Sequence, residues 1–178
     1  MSLNCIADLP LAIAKAEELL KINNCDKPPI DPSDIARKIG IKVMDCSFEN
    51  PNISGYYDFD EKTIYVNRNE FVKRQQFTIA HELGHAILHE DWVNSSEYTC
   101  LYRDQFIKAT DDIKELEANE FAGHLLVPSF LLNKYYEELK TSEEYLIEDI
   151  LQKISDVFFV SIPVIKIRLM KEYGYTSK

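Results

Sequence analysis

Phe77-Thr78-Ile79-Ala80-His81-Glu82-Leu83-Gly84-His85 is the stretch on which the reading of this chain turns. Four residues separate His81 from His85, and on a helix that spacing stacks two side chains one turn apart on one face. Both imidazoles can then reach a single metal ion, with Glu82 beside them to handle a proton. The pattern is HExxH, the arrangement used by zinc hydrolases. Such a site keeps three protein ligands and one open position for water, so the chain must supply one more group.

Around this stretch the chain reads as a mixture of helices and a few strands. Apolar residues at helical spacing mark Leu9 to Asn23, with Pro10 acceptable near the helix start. Asp31, Pro32 and Gly40 mark the cap, first turn and end of a short helix, and Ile41 to Met44 follow as a strand. Ser54 to Asn67 reads as a hairpin turning through Asp58 to Lys62. Asn67 and Asn69 are available to cap the long helix that carries His81 and His85 and ends near Leu88. Residues 89 to 112 show no clean period. Asp111 or Asp112 can cap the next helix, which runs to Val127 and is halted by Pro128. Further helices fill Ser129 to Tyr173. Helices with one small antiparallel sheet predict an α+β domain.

Composition narrows the function classes. The 178 residues are 46% hydrophobic and 28% charged, enough for one domain with a core of its own. The four cysteines are scattered without a CxxC pair, which fits reduced thiols better than a disulfide framework or a thiolate metal site. A net charge of −10 argues against nucleic-acid binding by the whole chain and is compatible with a basic protein partner. The first residues lack the pattern of a signal peptide, and no apolar run approaches membrane-spanning length; the expected compartment is the cytoplasm.

Several residues compete for the third metal position. His89 continues the four-residue spacing, but about 12 Å of helix rise separates it from His81, too far to share one ion unless the helix breaks. Asp91 stands six residues after His85, where an extended form of the motif places its third ligand. That form needs a glycine three residues after the second histidine, and Leu88 stands there. A carboxylate from the following helix is the remaining route, and its residues leave Glu115, Glu117 and Glu120 all open.

The stretch from Phe77 to His85, taken with Glu117-Ala118-Asn119-Glu120-Phe121-Ala122 and Leu125-Leu126-Val127-Pro128, resembles the ImmA/IrrE family of metallopeptidases. That resemblance implies a zincin-like single domain over residues 1–178, with a catalytic core of about 41–128 and a helical part of about 129–178. It implies Zn2+ held by His81, His85 and Glu117, with Glu82 as the catalytic base. The substrate it implies is a helix-turn-helix transcriptional repressor of phage or mobile-element type, cut to relieve repression. A non-catalytic module of the same fold, regulating a repressor by contact, is the rival.

Further expectations follow from spacing. His124 lies seven residues after Glu117 on the same face and is a candidate transition-state donor, as are Tyr56, Tyr57 and Tyr65. Gly84 and Gly123 interrupt helix interiors and could let the ligand-bearing helices approach closely. The strand Thr63 to Val66 could form a sheet edge that pairs with an extended substrate. The stretch from Ile154 to Tyr175 has a helix-turn-helix pattern with Ser161 as cap and local basic charge from Lys166, Arg168 and Lys171. The acidic residues before it favour packing or partner docking over DNA binding.

Overall fold

The computed structural model describes residues 6–90, 101–102, 113–141 and 146–174. The side chain of Asp8 accepts from Leu11 N–H at 3.0 Å and opens α1 (Leu9–Ile22). Asp31 accepts from the N–H groups of Ser33 and Asp34 and opens α2 (Pro32–Lys38). Both are short polar side chains meeting the unpaired donors of a helix start. Gly40, at φ +85°, takes the left-handed turn that releases the chain into a strand.

The strands are β1 (Lys42–Cys46), β2 (Ile53–Asp58), β3 (Thr63–Asn67) and β4 (Leu101–Tyr102). β2 and β3 form the expected hairpin, with Tyr56 opposite Tyr65 and their rings stacked at 5.0 Å. The sheet is mixed rather than wholly antiparallel, because β1 pairs with β3 in parallel and the order is β1-β3-β2-β4. The expectation of a free edge at Thr63 to Val66 is therefore overturned. β3 has a hydrogen-bonded neighbour on each side and no ladder left to offer.

Next comes α3 (Val72–Leu88), the helix that bears His81 and His85. Its N-cap is Phe71, without a side-chain bond, so Asn67 and Asn69 do not serve there. Asn67 lies at the end of β3 and donates from Nδ2 to Ile53 O on β2, while its Oδ1 accepts from Asn69 N–H. Its side chain is committed to the hairpin before the helix begins.

Every residue from Phe77 to His85 is buried, so the second half of α3 is covered all round. β2 and β3 pack on one side of it and α4 (Ile113–Leu126) on another, with α1 covering α4. Glycine makes two of these approaches possible. A Cβ on Gly55 would stand 2.6 Å from both Thr78 Cγ2 and the Tyr65 carbonyl oxygen. A Cβ on Gly84 would stand 3.0 Å from Phe121 Cδ1 and 3.3 Å from the backbone of Ala118. Gly123 does not share this role, since its Cβ would meet only Arg168 Cδ at 3.4 Å.

The chain continues through α5 (Ser129–Lys140), α6 (Ile147–Phe158) and α7 (Ile162–Tyr173). Apolar residues of α6 and α7, among them Ile154, Phe158, Ile165 and Leu169, belong to the same buried cluster as Ile64, Leu83 and Phe121. Arg168 does not contribute basic surface. It is 2% exposed and donates to Val127 O, Ser129 Oγ and Glu172 Oε1, tying α7 to the junction of α4 and α5. Lys73 at the start of α3 reaches Ser155 and Asp156 of α6. Ser161 precedes α7 but makes no side-chain cap bond. The architecture is the α+β, zincin-like arrangement expected. Among the described residues no helix is long and apolar enough to cross a membrane. Asp91, Asp111 and Asp112 lie outside the described residues.

The glycine geometry orders three substitutions. Gly55→Ala forces a side chain into backbone and should cost more than about 2 kcal/mol, and Gly84→Ala about 1–2 kcal/mol net. Gly123→Ala should be neutral or stabilising by up to about 1 kcal/mol, since a helix prefers alanine. Urea unfolding of the three variants checks the order; a Gly55→Ala protein as stable as the wild type would refute the close approach of β2 to α3.

Candidate metal centre

His81 and His85 project from the same face of α3, as their spacing requires, and their Nε2 atoms lie 2.9 Å apart. The third group is Glu115 from the first turn of α4. Its Oε2 lies 3.2 Å from His81 Nε2 and its Oε1 3.1 Å from His85 Nε2. Three ligand atoms of metal-binding chemistry thus converge inside the molecule, one from each of His81, His85 and Glu115. Tetrahedral zinc with bonds of ~2.0–2.1 Å separates its ligand atoms by roughly 3.3 Å, so the donor set and its spacing fit such an ion.

The resemblance assigned the third position to Glu117, and here the structure differs. Two residues turn a helix by roughly 200°, so Glu115 and Glu117 cannot both face the histidine pair. Glu115 shares its face with Asn119, four residues on, and both reach α3. Asn119 Oδ1 lies 3.0 Å from His81 Nδ1 and accepts its proton, which leaves Nε2 as the atom His81 presents to the centre. Sequence reasoning did not single out Asn119. The signal available was its i,i+4 relation to Glu115.

Glu117 turns elsewhere. Its Oε2 lies 2.7 Å from His89 Nε2, and its Oε1 accepts from the backbone N–H of Asp8 at 2.6 Å. His89 is outside the three-residue group. It stands just past the end of α3, with Nδ1 3.1 Å from Nδ1 of His85.

His124 is also displaced from its expected place. Its proximity was inferred from Glu117, but it lies nine residues after Glu115, roughly half a turn away around the helix. His124 Nε2 instead meets Arg168 Nη1 at 2.6 Å and Glu120 Oε1 at 3.2 Å, and Lys171 completes this second cluster by pairing with Glu120. Of the tyrosines, Tyr65 donates to Glu61, and that contact pushes its pKa up to about 12.

The electrostatics of the centre follow from burial and sign. His81 and Glu82 are wholly buried, and His85 is 1% exposed. Burial lowers the pKa of His85 to about 4, so this imidazole is neutral at ordinary pH. Burial also pulls His81 down, but hydrogen bonding and charge from Glu115, aided by Glu82, outweigh it and the net shift is upward. Glu115 is pushed up by burial, and its contacts with both histidines reverse this, holding it well below the usual carboxylate range. A centre with two buried carboxylates and two imidazoles attracts positive charge, whether a proton or a divalent cation.

A family model described as the IrrE N-terminal-like domain, Peptidase M78, matches residues 36–170. Uncharacterized immunity region protein 2 of Bacillus phage phi105 is 30% identical over 122 residues, covering 67% of this chain and 70% of that protein. A Mycobacterium tuberculosis transcriptional regulator of known structure has a TM-score of 0.65 and 18% identity, over 89% of this chain. That likeness is one of fold, and it spans 46% of the regulator.

The second cluster carries a pH signature. Burial raises the Glu120 carboxyl, but His124 and Lys171 overcome this and lower it from 4.5 to about 2. A depressed folded pKa stabilises above the unfolded value, so the contribution is complete above about 4.5 and is lost as pH falls toward about 2. Glu120→Gln should therefore be less stable than wild type at pH 6, with the gap closing in that acid window. Thermal midpoints from pH 6 to 2 measure this, and a gap independent of pH would contradict the assignment.

Proposed function

The chain belongs to the Peptidase M78 family, the IrrE N-terminal-like domain, and on that footing we propose that it is a zinc-dependent endopeptidase cutting a helix-turn-helix repressor. The observation that carries the reading is the convergence of His81, His85 and Glu115 in the interior beside Glu82. His/His/carboxylate is a donor set suited to zinc. A zinc ion held there supplies a Lewis acid that polarises a carbonyl and lowers the pKa of bound water toward ~7.

The chain's own residues supply the rest. Asn119 holds His81 in the tautomer with Nε2 toward the centre. Glu82, adjacent to His81 on α3 and buried, is the base that accepts a proton from water and returns it to the departing amine.

The substrate class rests on the relative from a phage immunity region and on charge. A chain of net charge −10 suits a basic, DNA-binding partner. Such a partner places the reaction in the cytoplasm. Residues 1–178 act as one unit in this reading, with α5, α6 and α7 supporting the catalytic core, and contact with nucleic acid passes through the substrate.

Purified chain is incubated with a helix-turn-helix repressor of phage type, with and without chelator, as wild type, Glu82→Gln and Glu115→Gln. Glu82→Gln should keep stoichiometric zinc and lose about 10²–10⁴-fold in cleavage rate, the usual share of a general base. Glu115→Gln should lose the zinc itself. Full relief of repression in cells by Glu82→Gln would overturn the peptidase reading and assign regulation by contact instead.

A further inference from the structure

We propose that His89 and Glu117 are positioning residues that hold His85 in the tautomer able to bind the metal. The inference rests on the reading of His81, His85 and Glu115 as the metal centre, and it concerns the other side of the His85 ring.

The protons along this path can be placed one at a time. A carboxylate only accepts, so the 2.7 Å contact between Glu117 Oε2 and His89 Nε2 requires a proton on Nε2. A His85 that offers Nε2 to a metal keeps its one proton on Nδ1. His89 Nδ1, which faces it at 3.1 Å, is then bare and accepts from it, since two N–H groups cannot point at each other. That leaves His85 Nε2 without a proton, and Nε2 is the atom that faces His81 and Glu115. A metal requires this state of the ring.

The anchor of the path is rigid at both oxygens. Glu117 Oε1 accepts from Asp8 N–H at 2.6 Å, directly before α1, so the carboxylate cannot swing away without breaking that bond. His89 has left the helix, and its ring can therefore fill the space between His85 and Glu117 that a helical position would deny it. The two histidine ligands thus have separate orienting partners: His81 leans on Asn119, and His85 on His89 backed by Glu117. Without Glu117, either nitrogen of His89 can hold the proton. His85 is then free to turn a protonated Nε2 toward the centre, which no metal accepts.

Zinc affinity of the full chain, measured by competition with a chelator of known strength, tests the path without recourse to activity. His89→Leu and Glu117→Leu should each weaken zinc binding by about 10–100-fold, the usual effect of losing an orienting partner. The double variant should bind no more weakly than the weaker single, because the two residues act in series. His89→Asn should stay near wild type, since the amide oxygen stands where Nδ1 stood and can accept from His85. Unfolding midpoints in excess chelator confirm that the variants fold. If Glu117→Leu fails to fold, the comparison of His89→Leu with His89→Asn decides alone. Equal affinity for those two, or additive losses in the double variant, would overturn the proposal. So would complete loss of zinc in Glu117→Leu, which would make Glu117 a ligand. Wild type without stoichiometric zinc, or Glu115→Gln binding like wild type, would remove the metal centre itself and the inference with it.

Discussion

The convergence of His81, His85 and Glu115 sets the terms for the rest of the molecule. These side chains, with Glu82, sit in the interior, where an unpaired charge or an unsatisfied imidazole is costly. Each must therefore be met by a partner at a fixed distance, and the helices that carry those partners must come close. Gly84 permits the approach of α3 to α4, and Gly55 permits the approach of β2 to α3. The apolar packing of Ala80, Leu83, Ala118 and Phe121 around the contact, all of them wholly buried, is the framework in which a polar centre can persist.

The helices after residue 128 belong to the same framework. Arg168 is a long cation that the interior accepts because it has several acceptors at once, and it holds α7 against the junction of α4 and α5. Lys73 performs a comparable service between α3 and α6. Within the basic stretch near residue 168, Arg168 is thus an internal tie rather than surface charge. The packing reading of this stretch agrees with these contacts.

Legibility of the site followed the range of the interaction. The pairing of His81 with His85 depends on helix periodicity alone, and it was readable. The place of His89 was not readable in the same way, because α3 ends at Leu88 and rise along a helix no longer governs it. The choice among Glu115, Glu117 and Glu120 depends on which face of α4 meets α3, and the poor apolar periodicity of that helix left it open. Resemblance then selected Glu117, and the expectation for His124 inherited that selection. Glu115 rather than Glu117 faces the histidines, and that shift of two residues rotates the relevant face by roughly 200° and turns His124 away with it. The pair Glu115 and Asn119, two polar residues one turn apart, was a signal. Glu120 and His124 form an equal pair on another face of the same helix, so spacing alone did not decide it.

By itself, the sequence determined the helix and hairpin elements and the histidine pair with its adjacent glutamate, which are encoded in spacing along single segments. It also determined the α+β class and the family, which follow from the order of such segments and from two short blocks of residues. Tertiary structure alone decided the parallel pairing of β1, the interior place of β3, the carboxylate that faces the histidines and the path from His85 through His89 to Glu117 and Asp8. The reason is the same in every instance. A local pattern specifies which way a side chain points relative to its own element, whereas a site between elements depends on their relative rotation and contact. Those are settled only when the whole core packs.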